Sequence, residues 1–80
     1  MEVGLTKKQV IDWLLESKCQ LDGDENYIDG FRMWKYHVLD KEVWVYRYVH
    51  GKWILHSSAE FRKMYIDDSN NFLMGFKEVK

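Results

Sequence analysis

The first part of the chain carries the pattern of one amphipathic helix. Thr6 and Gln9 have the spacing of a capping box, in which each side chain accepts a hydrogen bond from the other residue's backbone N–H. Apolar residues then recur at spacings of one, three and four, which is typical of a helix that packs one side on a core. They are Val10, Ile11, Trp13, Leu14 and Leu15. We predict a helix that begins after Thr6 and ends near Cys19 or Leu21.

The middle of the chain changes to a composition typical of β-strands. Three segments are rich in Val, Trp, Tyr and Phe, which are the residues enriched in strands. These segments are residues 31–39, 43–49 and 53–56. Asp40-Lys41 fits a two-residue turn after the first strand, and the second turn is centred on either Gly51-Lys52 or His50-Gly51. The pattern predicts a three-stranded antiparallel meander.

The end of the chain allows two interpretations. Ser57 and Glu60 have the spacing of a second capping box, and the apolar residues after them share one helical face, which predicts a short helix over 58–66. A hairpin through residues 68–71 is the alternative, and a last strand over 72–79 follows in either case. The expected fold class is α+β, with the N-terminal helix packed on a three- to four-stranded antiparallel meander in a single domain of residues 1–80.

The predicted sheet is apolar on both faces, whereas a half-buried antiparallel sheet alternates apolar with polar residues. One face, named here the Val-rich face, comprises Arg32, Trp34, Tyr36, Val38, Val43, Val45, Arg47, Val49, Ile54 and His56. The other, named the aromatic face, comprises Phe31, Met33, Lys35, His37, Leu39, Trp44, Tyr46, Tyr48, Trp53 and Leu55. We expect the helix on the Val-rich face, because β-branched side chains pack flat and carry no polar tip. The aromatic face is then covered by the C-terminal segment, by a second copy or by another protein.

Composition removes several classes of protein. The chain has 80 residues, 46% of them hydrophobic and 16% aromatic, which excludes intrinsic disorder. One cysteine supports neither an internal disulfide framework nor a cysteine-based zinc module. The sequence contains no apolar run of membrane-spanning length and no secretory signal, so we expect a cytoplasmic protein with no membrane contact.

The net charge of −1 is an average over segments of opposite sign. Residues 1–30 carry three Lys and seven acidic residues, a net charge of −4, whereas residues 31–63 carry seven basic and three acidic residues, a net charge of +4. Two interpretations follow: the acidic helix and loop neutralise the sheet within the fold, or the sheet presents a basic binding surface.

The acidic segment between helix and sheet resembles a calcium loop only in part. Tyr27 stands at the sixth position, where an EF-hand has Gly, and Met33 stands at the twelfth, where it has Glu. A solvated connector explains the segment without a metal. Its functional alternative is an acidic loop that docks a basic partner, formed by Asp22, Asp24, Glu25 and Asp29.

Motifs for catalysis or for a cofactor are absent from the sequence. The three histidines and Cys19 lack the spacings of metal ligands. His56 beside Ser57 is at most a fragment of a triad, and there is no Gly-rich phosphate loop. A chain of this size rarely encloses the ~300–1,000 Å³ of a small-molecule site. We therefore expect no enzymatic activity, no metal and no cofactor.

The aromatic residues of the sheet indicate a binding protein, because Tyr and Trp are enriched at protein interfaces. We expect a non-catalytic regulator or inhibitor that binds another protein, or itself as a homodimer, of the size of many bacterial and phage regulators and anti-defence proteins. The expected contact residues are Lys35, Trp44, Tyr46, Arg47, Tyr48 and Trp53. The alternative is a single-stranded nucleic-acid-binding module that uses the same rings for stacking, although the pI of about 6.3 is low for that class.

Overall fold

The computed structural model describes residues 2–66, 72–73 and 77–78, with side chains from residue 4 to residue 65. In chain order the elements are β1 (Glu2–Val3), α1 (Lys7–Glu16), β2 (Gln20–Leu21), β3 (Asn26–Ile28), β4 (Trp34–Val38), β5 (Glu42–Val49), β6 (Lys52–Glu60), a 3-10 turn (Phe61–Lys63), β7 (Tyr65–Ile66), β8 (Phe72–Leu73) and β9 (Lys77–Glu78). One antiparallel sheet has the order β2-β3-β4-β5-β6-β9, and a small one has the order β1-β7-β8. The α+β class and the antiparallel sheet are confirmed.

Helix α1 begins as the sequence predicts. The Thr6 N–H donates to Gln9 Oε1 at 2.8 Å, and the Gln9 N–H donates to Thr6 Oγ1 at 3.2 Å, which completes the capping box. The helix ends at Glu16, earlier than predicted. Lys18 has a φ of 70°, and its N–H donates to Leu15 O at 3.1 Å while the next N–H closes on Leu14 O at 3.0 Å. This is a Schellman ending with lysine where glycine is usual, so no glycine marks the end of the helix in the sequence.

The central meander forms in the predicted order. The turn at Asp40-Lys41 is confirmed, with the Leu39 N–H donating to the Glu42 carbonyl at 2.8 Å. The second turn is centred on His50-Gly51, the alternative register, with φ angles of 50° and 80°. Two positive φ angles define the type I′ turn, whose twist matches that of the strands.

The helix predicted over 58–66 is not formed. Strand β6 continues to Glu60, because Ser58 and its neighbours pair with β5, and the Phe61 N–H then donates to the Lys41 carbonyl at 2.9 Å. The sheet hydrogen bonds outweigh the local capping preference, and only the 3-10 turn remains helical. The alternative hairpin at 68–71 lies outside the described residues, and the strand predicted over 72–79 is described only at β8 and β9.

The segment between α1 and the meander holds two strands that the sequence did not predict. Strands β2 and β3 pair with each other, and β3 pairs with β4 from Asn26–His37 to Ile28–Lys35. Strand β4 begins at Trp34 rather than at residue 31, because residues 29–33 form the turn that joins it to β3. Strands this short among acidic residues carry no periodicity of their own.

The buried core lies between α1 and the Val-rich face, as predicted. Val10 and Leu14 of the helix pack against Val38 and Val43 of the sheet, and all four are at most 1% exposed. Register shifts between Val45 and Tyr46, and the extra residue on β6 is His56. This β-bulge places Ser57 and Ala59 on the Val-rich face as well, because two residues of β6 there oppose one of β5.

Candidate aromatic binding face

Strands β4, β5 and β6 bring five of the six predicted contact residues together on the aromatic face. Their register pairs Lys35 with Tyr46, His37 with Trp44, and Tyr48 with Trp53. Successive side chains of a strand point to opposite faces, so these pairs share one surface. The predicted members that the structure brings together are Lys35, Trp44, Tyr46, Tyr48 and Trp53.

The rings on this face are ordered by contacts with one another and with one lysine. Lys35 Nζ lies 4.9 Å from the centre of the Tyr46 ring and 5.2 Å from that of Trp53. The rings of Tyr48 and Trp53 meet edge to face, with centroids 5.1 Å apart and planes at 69°. Cation–π and edge-to-face contacts each contribute about 0.5–1.5 kcal/mol, so the surface is largely pre-organised.

Burial divides the two faces of β4, β5 and β6. The buried residues of these strands are Val38, Val43, Val45, Ser57 and Ala59. All of them lie on the Val-rich face, whereas the aromatic side of the sheet has a buried residue on the neighbouring strand β3, Ile28, which pairs with Lys35. Tyr48 is 45% exposed, and Met33, whose carbonyl accepts a hydrogen bond from the Tyr48 N–H at 2.9 Å, is 46% exposed. The other rings of this face, those of Trp44, Tyr46 and Trp53, are partly buried, so its exposure is greatest at Tyr48 and Met33.

Arg47 does not join the other predicted contact residues. It pairs with Trp34 on the Val-rich face, and its guanidinium carbon lies 5.7 Å from the centre of the Trp34 ring. The Trp34 ring also meets the His56 ring in an edge-to-face arrangement, with centroids 5.2 Å apart. Arg47 thus belongs to a separate, exposed cluster beyond the part of the Val-rich face that α1 covers.

The structure also separates the predicted acidic loop. Asp22, Asp24 and Glu25 belong to the turn between β2 and β3, whereas Asp29 lies at the opposite end of β3. Glu25 accepts a salt bridge from Lys7 at 3.2 Å, and hydrogen bonding to Glu25 is the main reason that the pKa of Lys7 is raised. One of the four carboxylates is therefore already paired within the fold.

Asp29 has a structural position that the sequence does not reveal. Its Oδ1 accepts hydrogen bonds from the Met33 N–H at 2.8 Å and from the Trp34 N–H at 3.2 Å, and its carbonyl accepts one from the Arg32 N–H at 3.0 Å. These bonds close the turn between β3 and β4, in which Arg32 has a φ of 55°. Asp29 stabilises this turn, and a docking role is not needed to explain it.

Phe31 is a candidate contact residue that sequence reasoning placed on the aromatic face but did not select. It lies at the tip of the turn that Asp29 closes, and 87% of it is exposed. The sequence feature that could have indicated this exposure is the position of Phe31 beside Gly30, because a large apolar residue next to a turn glycine has no core within reach.

The reactive side chains are poorly placed for catalysis. His56 Nδ1 lies 3.2 Å from Ser57 Oγ, but Ser57 is only 3% exposed, so its hydroxyl is closed to a substrate. Burial raises the pKa of the Cys19 thiol, and burial together with Cys19 and Asp29 raises the pKa of Tyr36 to about 12. Both groups are therefore protonated at neutral pH. Among the described residues, no three His, Cys, Asp or Glu side chains form a group that holds a metal ion.

A cleft of about 530 Å³ lies between the start of α1 and the β4–β5 turn. This volume falls within the ~300–1,000 Å³ typical of small-molecule sites, although a chain of this size was not expected to form such a cleft. Its lining carries charges of both signs, from Lys7, Lys41 and Arg62 and from Asp40 and Glu60. Several of these are already bound to one another, so the cleft does not define a ligand.

Comparisons of the chain with models of protein families, with curated proteins and with solved structures find no match. Within the described residues, α1 has ten residues and no helix is long and apolar enough to cross a membrane.

Proposed function

We propose that this chain is a non-catalytic protein-binding module that acts as a regulator or inhibitor through its aromatic face. The observation that carries the proposal is the distribution of burial across β4, β5 and β6, where every buried side chain lies on the Val-rich face. Large exposed apolar patches on small proteins mark interaction sites. Tyr and Trp, which supply four of the ten residues of this face, are among the residues that contribute most to binding energy at interfaces.

A protein partner fits this face better than a single-stranded nucleic acid. Proteins that bind single strands combine stacking rings with a groove of cations that follows the phosphates. On strands β4, β5 and β6 Lys35 is the only Lys or Arg of the aromatic face, Lys77 of β9 pairs with Ser58 beside it, and Glu42 and Glu60 lie at its far end. A titration with mixed-sequence oligonucleotides at about 50 mM salt separates the two proposals, and we expect no binding.

The proposal is tested by affinity capture from an extract of the cells in which the chain is made. The wild-type chain is compared with Trp44→Ala/Tyr48→Ala and with a control, Leu21→Ala/Ile54→Ala. Leu21 and Ile54 are 60% and 50% exposed but lie off the aromatic face, so the control removes exposed apolar surface elsewhere.

We expect the wild-type chain and the control to capture the same protein, or to associate with themselves, and the aromatic-face variant to lose that association. Equal association by all three chains would show that the aromatic face is not the binding surface. The cytoplasmic location expected from the sequence belongs to the same proposal, and fractionation of those cells tests it.

A further inference from the structure

One end of the sheet collects most of the exposed apolar side chains. This end, named here the sheet tip, comprises residues 30–34 and 47–54, which include the last part of the β3–β4 turn and the whole β5–β6 turn. The Tyr48 N–H donates to the Met33 carbonyl at 2.9 Å and joins the two segments. Among the described residues six large apolar side chains are exposed, and four of them lie at the tip: Phe31, Met33, Tyr48 and Ile54. Phe31, at 87%, is the most exposed of the six.

The sheet tip is also basic. It contains Arg32, Arg47 and Lys52 and no acidic residue. Lys35 extends towards it, with Nζ 5.2 Å from the centre of a tryptophan ring of the tip. None of these four cations has an ion pair within the described residues. Unpaired positive charges therefore surround the exposed apolar side chains.

The acidic residues of β4, β5 and β6 are Glu42 and Glu60, which pair with each other at the other end of these strands. Glu42 is five residues from Arg47, or about 17 Å at about 3.3 Å per residue. This distance exceeds the Debye length of about 8 Å at physiological ionic strength, so these acids do not repel an anionic surface at the tip. Two carboxylates lie nearer: Asp29 accepts two backbone hydrogen bonds of the turn, and Asp22 lines a pocket beside the tip but bridges none of its cations.

The cations lie on both faces of the sheet, which limits the directions from which a partner reaches all of them. Lys35 is on the aromatic face, whereas Arg47, 5.7 Å from the centre of the Trp34 ring, is on the Val-rich face. A partner on one face reaches only some of these charges, but a surface that meets the strands end-on reaches them all. End-on, three strands at about 4.8 Å spacing and a thickness of about 10 Å give about 140 Å², far below the ~800 Å² of a standard protein interface. The tip therefore fits a flat, deformable anionic surface better than a protein.

We propose that the sheet tip makes reversible contact with an anionic lipid surface, with Phe31 and Met33 at the acyl boundary and the cations at the lipid phosphates. The level of Arg47 lies about 10 Å behind residue 50 of the β5–β6 turn, and interfacial elements enter a bilayer by about 5–10 Å. Tyr48 and Trp53 pair between these levels, and Tyr and Trp are enriched at membrane–water interfaces. The sequence-based expectation of no membrane contact rests on the missing spanning run, which a contact of this depth does not need.

Sedimentation with sucrose-loaded vesicles tests the proposal on the full chain. Vesicles of phosphatidylcholine with about 30% phosphatidylserine are compared with vesicles of phosphatidylcholine alone, in about 100 mM salt. We expect binding to the anionic vesicles to be about tenfold or more tighter than binding to the neutral ones. Binding should weaken in about 500 mM salt, because the charges are then screened.

Two variants remove the apolar and the charged parts of the tip separately. Phe31→Ser removes the side chain that is 87% exposed, so the fold is kept, and we expect binding to the anionic vesicles to weaken about tenfold. Arg47→Gln/Lys52→Gln removes two cations, and at about fivefold for each we expect binding to weaken about 25-fold.

Each variant has a matched control away from the tip. Leu15→Ser removes an apolar side chain that is 50% exposed on α1. Lys8→Gln/Lys41→Gln removes two positive charges from the first turn of α1 and from the β4–β5 turn. We expect both controls to bind the vesicles as the wild type does.

A wild-type chain that binds neither kind of vesicle overturns the inference. Binding that Phe31→Ser leaves unchanged, or that Arg47→Gln/Lys52→Gln leaves unchanged, also overturns it. Poly-L-glutamate and a mixed-sequence oligonucleotide are tested in parallel, and a preference for either over the anionic vesicles overturns a lipid surface as the partner. The inference goes beyond the proposed function and does not depend on it. Trp44→Ala, in the middle of the aromatic face, should bind the vesicles as the wild type does, so vesicle binding and protein capture fail independently.

Discussion

Removing two large rings from the aromatic face is expected to cost less stability than removing one leucine from the core. In Trp44→Ala/Tyr48→Ala, the lost contact of Tyr48 with Trp53 is worth about 0.5–1.5 kcal/mol. The cross-strand pairs of Trp44 with His37 and Ser58 are worth about 0.2–1 kcal/mol each. The sum is about 1–3.5 kcal/mol. Total stability at ~0.05–0.15 kcal/mol per residue is about 4–12 kcal/mol, so the variant stays folded.

Leu14→Ala is the matched core variant. Leu14 is 1% exposed between α1 and the Val-rich face, and such truncations cost about 2.7–5 kcal/mol. Urea unfolding followed by far-ultraviolet circular dichroism measures the stability of both variants. For a chain of this size the free energy of unfolding falls by about 1 kcal/mol per molar urea. We expect the midpoint to fall further for Leu14→Ala. A double aromatic variant that is unfolded in buffer, or less stable than Leu14→Ala, would show that the aromatic face is core.

Three further predictions concern single positions. Asp29→Ala removes two hydrogen bonds to the backbone of the β3–β4 turn and should lower the free energy of unfolding by about 1–3 kcal/mol, whereas Asp29→Asn, which keeps an acceptor oxygen, should lose less. Lys18→Gly should raise it by about 1 kcal/mol in thermal unfolding, because glycine adopts the φ of 70° without steric cost. The raised pKa of Tyr36, about 12, means that the unfolded chain ionises first, near pH 10. The free energy of unfolding should therefore fall by up to about 3 kcal/mol between pH 10 and 12, and Tyr36→Phe should remove that part of the loss.

Each of these predictions has a contrary result. If Asp29→Ala and Asp29→Asn lowered the free energy of unfolding equally, the loss would come from the removed charge rather than from the hydrogen bonds of the turn. If Lys18→Gly were less stable than the wild type, the side-chain contacts of Lys18 would contribute more stability than its positive φ costs. Parallel alkaline curves for the wild type and Tyr36→Phe would show that Tyr36 ionises as freely in the folded chain as in the unfolded one.

Periodicity made part of the fold predictable. The capping box at Thr6 agrees with the apolar stripe after it, and the alternation of the meander assigns Val43 and Trp44 to opposite faces even where the turn register is left open. Local and long-range preferences point the same way at these positions, so the sequence alone is sufficient.

The rest of the fold depends on backbone conformations and strand pairings that produce no recognisable pattern in the sequence. Lys18 and Arg32 adopt positive φ angles without being glycine, so the end of α1 and the turn before β4 are unmarked. The capping box at Ser57 predicts a helix, but pairing with β5 keeps that residue in a strand. Asp29 looked like one of several solvated acids, because the two N–H groups that it binds follow it by four and five residues within a turn.

The central claim is that the aromatic face is accessible at Tyr48 and Met33 in the isolated chain, and hydroxyl-radical footprinting of dilute protein tests it most directly. Met33, 46% exposed at the end of that face, and Met64, 0% exposed in the core, are an internal pair of the same chemistry. The account predicts that Met33 and Tyr48 are modified rapidly while Met64 is protected until the chain unfolds. Protection of Met33 and Tyr48 equal to that of Met64 would contradict it.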